Sequence, residues 1–257
     1  MRNPLIVALC FLTINSTAQP KTHGSFTIAA ICIDGILIES DTRSECSVGR
    51  DTVGYYDTVQ KVFVVNNFGV ANSGLASVGS DFFYHYLKEF METNPTCKAV
   101  DFLNNFLVFI KGRYPVYFDD FLNNPVIVAG YDKGTPYILE TKHGKFNTVK
   151  GAGYKESDSL INFSNDFFST RTCKDAAEII ETGLKDFVSK FHLEHSIGGP
   201  LMALMITKDN KPAWIKNAPI NSPRETTRDF MEDYKAGKLN FHFFSRESKL
   251  EFENKVK

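Results

Sequence analysis

The fold of this chain is decided by the stretch GSFTIAAICIDGILIESDTR, residues 24–43. Its first half alternates and then runs apolar, which predicts a buried strand. Asp34-Gly35 is a strong signal for a two-residue hairpin turn, and the residues after it run back as a second strand. Because the turn lies about midway between Ser25 and Asp41, we expect the hairpin to bring these two side chains close together.

A second strand pair is predicted over residues 61–66 and 68–72, with its turn around Asn66-Asn67. Lys61 begins the first of these strands. We expect Lys61 to lie beside Asp41, because a neighbouring carboxylate would hold the lysine ammonium charged and oriented. Gly74 then leads into helical periodicity.

The rest of the chain alternates between helix pairs and strand groups. Helices are predicted over 80–92, with Ser80 as the cap, from Thr96 to about 110, over 157–168 and over 172–193. Strands are predicted over 126–131, 137–141, 145–150, 201–206 and 213–216, followed by a short helix after Pro223. This order favours an α+β fold with four layers, an αββα sandwich in which helices cover two stacked sheets and the first strand is central.

Composition and charge bound the class of protein. The chain has 257 residues, of which 43% are hydrophobic and 23% charged, and this suits one globular domain with a large core. With 29 basic and 30 acidic residues the net charge is -1, so the basic excess expected of a nucleic-acid-binding protein is missing. Nucleic acid is therefore not an expected partner.

The first residues are typical of a secretory signal peptide over 1–18. Arg2 provides a basic start, residues 5–14 a short apolar core, and residues 16–18 a cleavage site of small residues. The alternative, a membrane anchor, requires about 18 or more apolar residues. We therefore predict a secreted or periplasmic protein with a short propeptide over 19–24, a single domain over 25–237 and a C-terminal extension over 238–257.

Cysteine and histidine residues do not predict a metal site or a cofactor. The four cysteines after residue 18 could pair in an exported protein, but their spacing does not fix the pairing. They are Cys32, Cys46, Cys97 and Cys173. His192 and His195 could share a helix face, yet such a pair lacks a third ligand and is typical of a solvated helix end.

Several segments together resemble the β-subunits of proteasomes, within the N-terminal nucleophile hydrolase superfamily. They are residues 24–29, 34–43, 58–62, the pair Ser73-Gly74, and residues 197–200 before an apolar strand. The separation between Ser25 and Asp41 equals that of the family's nucleophile and aspartate. The chain resembles an exported homologue of bacterial type within this family. The resemblance also implies the family's fold, the αββα sandwich.

This resemblance implies a hydrolase of peptide bonds that acts as a proteasome-like endopeptidase. Ser25 would attack an amide carbonyl, and its own α-amine, with an ordinary pKa near 7.7 to 8.0, would take the proton. Lys61 would stabilise the serine alkoxide, Asp41 would orient Lys61, and Arg43 would support this acidic cluster from behind. The backbone N–H of Gly74 would stabilise the oxyanion.

Self-cleavage before Ser25 is the implied activation step, because it frees the α-amine. Gly24 suits the position before the cut, since a side chain there would hinder the approach of the serine hydroxyl to the preceding carbonyl. Thr22 is a weaker candidate nucleophile, because Gly24 separates it from the strand.

Four positions differ from the family's active members. Ser25 replaces a threonine, whose methyl group restricts the hydroxyl rotamer. Glu194 and Ser196 lie where the family has an aspartate and a serine, with the serine one place out of register, and we expect them to complete the catalytic set. Ala152 lies where a serine hydroxyl is usual. A catalytically inactive ring or binding subunit is therefore an alternative.

The substrate pocket of the family is walled by residues that correspond here to Ser44, Val59 and Phe63. We expect an apolar side chain before the scissile bond to fit this wall. A further alternative is an amidase that acts on small amides. The resemblance also implies a homo-oligomer, with a ring as the family's form of assembly, and export implies that no ATPase partner is needed.

Overall fold

The computed structural model describes residues 25–48, 51–156, 163–164, 166–194, 196–218 and 224–255. The predicted signal peptide, the predicted propeptide with Thr22 and Gly24, and His195 lie outside the described residues. The described residues form a mixed α+β fold with antiparallel sheets and six helices. In these ranges no helix is long and apolar enough to cross a membrane.

The first sheet contains the hairpin that follows Ser25. Its strand order is β12-β1-β2-β13-β14, with antiparallel neighbours throughout. The strands are β1 Thr27–Ile31, β2 Gly35–Ser40, β12 Tyr154–Glu156, β13 Met202–Thr207 and β14 Pro212–Lys216. The predicted hairpin is confirmed as the pair of β1 and β2. Its turn lies at Ile33-Asp34 rather than at Asp34-Gly35, because Gly35 already belongs to β2 and its carbonyl oxygen accepts from the Cys32 N–H at 2.8 Å. The expectation that the first strand is central is wrong, because the short β12 covers the outer edge of β1 and β2 takes the middle place.

The second sheet has the order β11-β10-β9-β6-β5 and is also antiparallel. Its strands are β5 Val62–Val65, β6 Phe68–Asn72, β9 Val126–Asp132, β10 Thr135–Lys142 and β11 Lys145–Lys150. Buried residues of both sheets share one hydrophobic cluster, to which Ile38 and Leu204 contribute from the first sheet and Ala71 and Ile127 from the second. The two sheets therefore pack on each other.

Helices pack against both sheets. On the second sheet lie α1 Phe83–Thr93, α2 Ala99–Arg113 and α3 Phe118–Asn123, whose aromatic side chains join one buried cluster with strand residues. On the first sheet lies α4 Cys173–Phe191, and its residues Ile180 and Leu184 share a second cluster with Ile28 and Leu37. Burial of each large apolar side chain contributes about 1.5 to 3 kcal/mol, so these clusters fix the helices on the sheets.

The structure can be compared with two predicted helix caps and with one further predicted helix. The predicted cap at Ser80 is wrong, because residues around it form a short antiparallel pair, β7 Ser77–Val78 and β8 Asp81–Phe82, before α1 begins. The predicted cap of α4 is confirmed, since the Thr172 side chain accepts a hydrogen bond from the Asp175 N–H at 3.1 Å. Most of the helix predicted over 157–168 lies outside the described residues, and 166–168 form turns.

The sequence analysis did not predict the third sheet, which is smaller than the other two. It consists of β3 Ser44–Val48, β4 Asp51–Tyr56 and β15 Phe241–Phe243, in the order β15-β4-β3. Helices α5 Thr227–Lys235 and α6 Arg246–Lys255 pack on it, with Phe230 and Phe252 buried. The predicted C-terminal extension thus continues the fold and completes the hydrophobic cluster beneath the β3–β4 hairpin.

Candidate active site

The β1–β2 hairpin sets the distance between Ser25 and Asp41. Thr27 pairs with Ser40 at the open end of the hairpin, so the residues just beyond each strand remain neighbours. The Asp41 N–H donates to the Phe26 carbonyl at 3.1 Å, and the Phe26 N–H donates to Asp41 Oδ1 at 3.0 Å. The proximity predicted from the turn position is therefore present.

Lys61 connects the two sides of the hairpin end. Its Nζ lies 2.8 Å from Ser25 Oγ, 2.8 Å from Asp41 Oδ1 and 2.5 Å from the Arg43 carbonyl oxygen. These three acceptors use the three N–H donors of an ammonium group. Lys61 and Asp41 are both buried, with side chains 4% and 0% exposed, so their ion pair is shielded from water. The sequence prediction that Ser25, Asp41 and Lys61 meet is confirmed.

The Asp41 carboxylate is held from several directions. Besides Lys61 and Phe26, the backbone N–H groups of Arg43 and Gly198 each donate to Oδ2 at 3.2 Å. Burial raises the pKa of Asp41, whereas the Lys61 ammonium and these N–H donors lower it. The carboxylate is therefore fixed in place, and it fixes Lys61 in turn.

Arg43 contributes differently from the way the sequence predicted. Its guanidinium forms a bidentate ion pair with Asp57, with two N–O distances of 2.6 Å, and lies 4.0 Å from the centre of the Tyr55 ring. Asp41 and Lys61 meet only its backbone, which donates to Asp41 and accepts from Lys61. The side chain thus anchors the loop, and the main chain supports the cluster.

The Ser73-Gly74 pair lies on the other side of Ser25. Ser73 Oγ donates to the Ser25 carbonyl oxygen at 3.0 Å, a contact that the sequence did not predict. Gly74 is exposed and lines the same cavity as Ser25. A hydrogen-bond donor at this position can stabilise negative charge that develops on a carbonyl oxygen bound beside Ser25.

Ser25 faces a cavity of about 950 Å³, which we call the nucleophile cavity. The cavity lies between β3, the 73–77 turn, α3 and α5, and its volume is typical of a small-molecule or short-peptide site. Its lining combines apolar side chains, among them Leu75 and Phe230, with charged ones that the sequence did not predict as a group. The charged residues of the lining are Arg43, Glu45, Asp119, Asp120 and Lys142.

The three predicted pocket residues are divided between two cavities. Ser44 lines the nucleophile cavity, but Val59 and Phe63 line a second cavity of about 660 Å³. Both of these side chains are buried in hydrophobic clusters. The prediction of one wall made by all three residues is therefore wrong. Ala76 and Phe82 line both cavities and form their boundary.

Glu194 and Ser196 do not occupy equivalent places. The Glu194 side chain is exposed, and only its carbonyl oxygen contacts the cluster, as acceptor from Arg43. The expectation that its carboxylate completes the catalytic set is wrong, because α4 ends at Phe191 and the following turn directs this side chain to solvent. Ser196 is buried, lines the nucleophile cavity and donates through Oγ to Glu45 Oε1 at 2.8 Å.

Glu45 is a carboxylate of the cavity that the sequence analysis missed. It lies on β3, two residues after Arg43, and the weak strand pattern of this segment gave no signal of its position. Ala152, where the family has a hydroxyl, is exposed in the turn after β11. The hydroxyl group of Ser196 and the carboxyl group of Glu45 line the same cavity as Ser25.

The geometry supports no metal centre in the described part of the chain. There, His, Cys, Asp and Glu side chains form no group of three or more that could hold an ion. His192 ends α4 in the left-handed conformation, with φ of 55°, so the helical spacing proposed for His192 and His195 does not continue through it. The four described cysteines are free.

No protein-family model matches this chain, and no curated protein matches it. Among solved structures, a mutant of Anbu from Hyphomicrobium sp. strain MC1 is similar, with a TM-score of 0.51. The match covers 83% of this chain and 94% of that chain, at 13% sequence identity. At this identity the similarity concerns the fold alone.

Proposed function

We propose that this chain is a self-activating amide hydrolase with Ser25 as its N-terminal nucleophile. The proposal includes the fold of the N-terminal nucleophile hydrolases, an αββα sandwich. Two observations support this fold. The two sheets stack on each other, and helices pack on each sheet through a separate hydrophobic cluster. The fold is also similar to that of the Anbu structure. A peptide is the first candidate substrate and a small amide the second.

The contact between Lys61 and Ser25 is the observation that carries this proposal. A buried ammonium 2.8 Å from a serine hydroxyl has no evident benefit for packing, because a hydrophobic side chain would fill the same space without desolvating a charge. Its benefit is chemical, since it lowers the energy of the alkoxide at the place where a substrate enters the nucleophile cavity.

The reaction follows from the groups around Ser25. The Oγ attacks the amide carbonyl, and the Ser25 α-amine accepts the hydroxyl proton and passes it to the leaving amine as the carbon–nitrogen bond breaks. The oxyanion forms beside the Gly74 N–H. Water then attacks the acyl ester, with the same amine as base, and releases the acid and the free serine hydroxyl.

Activation requires cleavage of the Gly24-Ser25 bond, because the α-amine is an amide until then. We propose that Ser25 itself attacks the Gly24 carbonyl with the help of Lys61, and that the ester so formed is hydrolysed. We also propose export by residues 1–18 and assembly into a homo-oligomer. Val108 and Val116, which are 65% and 81% exposed at α2 and just after it, support an interface on that side.

The test is the intact mass of the purified protein together with hydrolysis of short fluorogenic peptide amides. We expect a chain that starts at Ser25 and hydrolyses the amide, and a Ser25→Ala chain that keeps the preceding residues and has no activity. A folded wild-type chain that retains the residues before Ser25 and hydrolyses no amide contradicts the proposal.

One observation favours the second candidate function, a non-catalytic binding or ring subunit. The exposed side chain of Glu194 and the methyl group of Ala152 leave fewer polar groups around the Ser25 terminus than the family pattern has. The same experiment separates the two candidates, because the non-catalytic subunit predicts an uncleaved Gly24-Ser25 bond in a stable, oligomeric protein.

A further inference from the structure

Three successive backbone N–H groups, those of Ser73, Gly74 and Leu75, lie beside the nucleophile cavity, and they differ in whether a protein group accepts from them. The Ser73 N–H donates to the Pro125 carbonyl oxygen at 3.0 Å, and the Leu75 N–H donates to Asn124 Oδ1 at 2.9 Å. Among the described residues, the Gly74 N–H between them has no hydrogen-bond partner, and Gly74 lines the nucleophile cavity. Of these three donors, therefore, Gly74 alone is available to a ligand.

Two buried asparagines hold this arrangement. Asn124 Nδ2 donates to Asn72 Oδ1 at 2.6 Å, and Asn72 Nδ2 donates to the Leu75 carbonyl oxygen at 2.9 Å. With the bond from the Leu75 N–H to Asn124, both polar groups of the Leu75 backbone are bound by side chains. Asn72 and Asn124 are each 3% exposed, so these hydrogen bonds do not compete with bulk water.

The asparagines are themselves fixed by rigid elements. Asn72 is the last residue of β6 and pairs with Val126 of β9. Asn124 follows α3 and precedes Pro125, and a residue before proline is restricted to extended conformations. The turn that carries Gly74 is thus tied to the second sheet and to α3 rather than left as a loose loop.

Packing against Gly74 is equally tight. A Cβ atom at this position would lie 1.9 Å from Asn124 Oδ1 and 3.1 Å from Pro125 Cδ. A side chain at this position would therefore collide with Asn124, so only glycine fits here. This close packing leaves the Gly74 backbone little room to rotate.

We propose that Asn72 and Asn124 are positioning residues for the oxyanion donor, because together they fix the Gly74 N–H toward the carbonyl that Ser25 attacks. This inference rests on the proposed function. The asparagines touch no reacting atom, and their effect is on the transition state, in which the carbonyl oxygen carries most charge.

The test compares Asn124→Asp and Asn72→Asp with the wild-type chain on a short fluorogenic peptide amide. Each substitution keeps the size of the side chain. In Asn124→Asp a carboxylate oxygen replaces the Nδ2 group that donates to Asn72 Oδ1. The hydrogen bond between these two side chains is therefore lost. We expect kcat to fall about 10-fold to 100-fold while KM changes less than about twofold, because the lost stabilisation is confined to the transition state. Self-cleavage before Ser25 should slow to a similar extent.

The pH profile gives a readout that a purely structural role would not change. When the carboxyl group introduced by Asn124→Asp is protonated, its O–H can donate to Asn72 Oδ1 and restore the pair. The ratio of Asn124→Asp activity to wild-type activity should therefore rise as the pH falls, at pH values where both proteins remain folded. Asn147→Ala, which removes an exposed side chain on β11, should match the wild type at each pH.

Each outcome decides the inference. Unchanged kcat in both aspartate variants of an active enzyme overturns the positioning role and leaves the proposed function intact. Higher KM with unchanged kcat also overturns it, since that result assigns the asparagines to substrate binding. If the wild-type chain hydrolyses no amide, the proposed function and this inference both fall.

Discussion

The Lys61 ammonium lies 2.8 Å from the Ser25 hydroxyl, although the strands that follow these two residues belong to different sheets. Both positions are set by strand ends, since Ser25 precedes β1 and Lys61 precedes β5. The site is therefore located where the edges of two packed sheets meet, and its geometry depends on how the sheets pack.

Replacement of Lys61 by methionine should remove activity and keep the fold. Lys61→Met keeps the length of the side chain but removes the charge that stabilises the Ser25 alkoxide, and we expect kcat to fall by about 1,000-fold. Peptide-amide hydrolysis and the intact mass measure this loss and the loss of self-cleavage. Lys185→Met on the exposed face of α4 is the matched control, and equal activity in both variants would exclude a role for the Lys61 charge.

The Arg43–Asp57 ion pair should stabilise the protein more than a surface pair does. Both side chains are only 12% and 13% exposed, so Asp57→Asn leaves a partly buried guanidinium without its counter-ion. We expect the free energy of unfolding to fall by about 2 kcal/mol, between the values usual for exposed and buried pairs. Denaturant unfolding tests this against Glu232→Gln, which breaks the exposed Arg228–Glu232 pair and should cost less than about 0.5 kcal/mol.

Glu39 should make stability depend on pH. It lies on the central strand β2, fully buried, and its two carboxyl oxygens have no hydrogen-bond partner among the described residues. Burial raises the pKa of Glu39 well above its usual range, Lys216 opposes this rise and Glu181 adds to it. The unfolded chain therefore loses this proton at lower pH than the folded protein, and stability falls as pH rises from about 4.3 toward the folded pKa.

Glu39→Gln removes this ionisation and provides the measurement. The stability gained by the variant relative to the wild type should grow by about 1.4 kcal/mol for each pH unit in that interval. Urea unfolding from about pH 4 to about pH 8 follows this difference. Glu178→Gln, on the exposed face of α4, should give no such trend. A constant difference across the interval would show that Glu39 is not protonated in the folded protein.

Cys32 and Cys173 should form a disulfide when the protein folds under oxidising conditions. Both thiols are buried, and the neighbouring Cys32 thiol is the first cause, ahead of burial, of the raised pKa of Cys173. The backbone joins the same segments, because the Ile33 N–H donates to the Arg171 carbonyl oxygen at 3.0 Å. Refolding with oxidised glutathione should produce one intramolecular bond, with transfer of two hydrogens to the glutathione disulfide.

Peptide mapping under non-reducing conditions identifies this bond. Cys32→Ser and Cys173→Ser should each prevent it, whereas Cys46→Ser and Cys97→Ser should leave it in place. A mixed pattern of pairings, or four free thiols after oxidative refolding, would contradict the prediction.

The positions of Ser25, Asp41 and Lys61 could be predicted because they depend on sequence patterns within single hairpins. The Asp34-Gly35 signal indicates the hairpin, although the turn itself lies one residue earlier, at Ile33-Asp34. Its place about midway between Ser25 and Asp41 brings these two residues together. Lys61 at the start of a strand pair followed from the same kind of pattern.

The rest of the site depends on tertiary contacts that no local pattern encodes. Ser196 meets Glu45, and Leu75 meets Asn124, only because different elements pack together. The β3–β4 hairpin has a weak strand pattern, with polar residues and Gly54 in its interior, and it pairs with β15 near the end of the chain. Its contribution to the nucleophile cavity was therefore missed, and with it the carboxylate of Glu45 in the cavity lining.

The small sheet has a consequence for the timing of activation during synthesis. β3 lines the nucleophile cavity, but β4 obtains its second partner only when Phe241–Phe243 has left the ribosome, roughly 200 residues after Ser44. At about 5 to 20 residues per second this delay is about 10 to 40 seconds. A nascent chain thus carries Ser25 for most of its translation while β4 lacks this partner, and on the proposed function we expect self-cleavage to follow the completion of the small sheet.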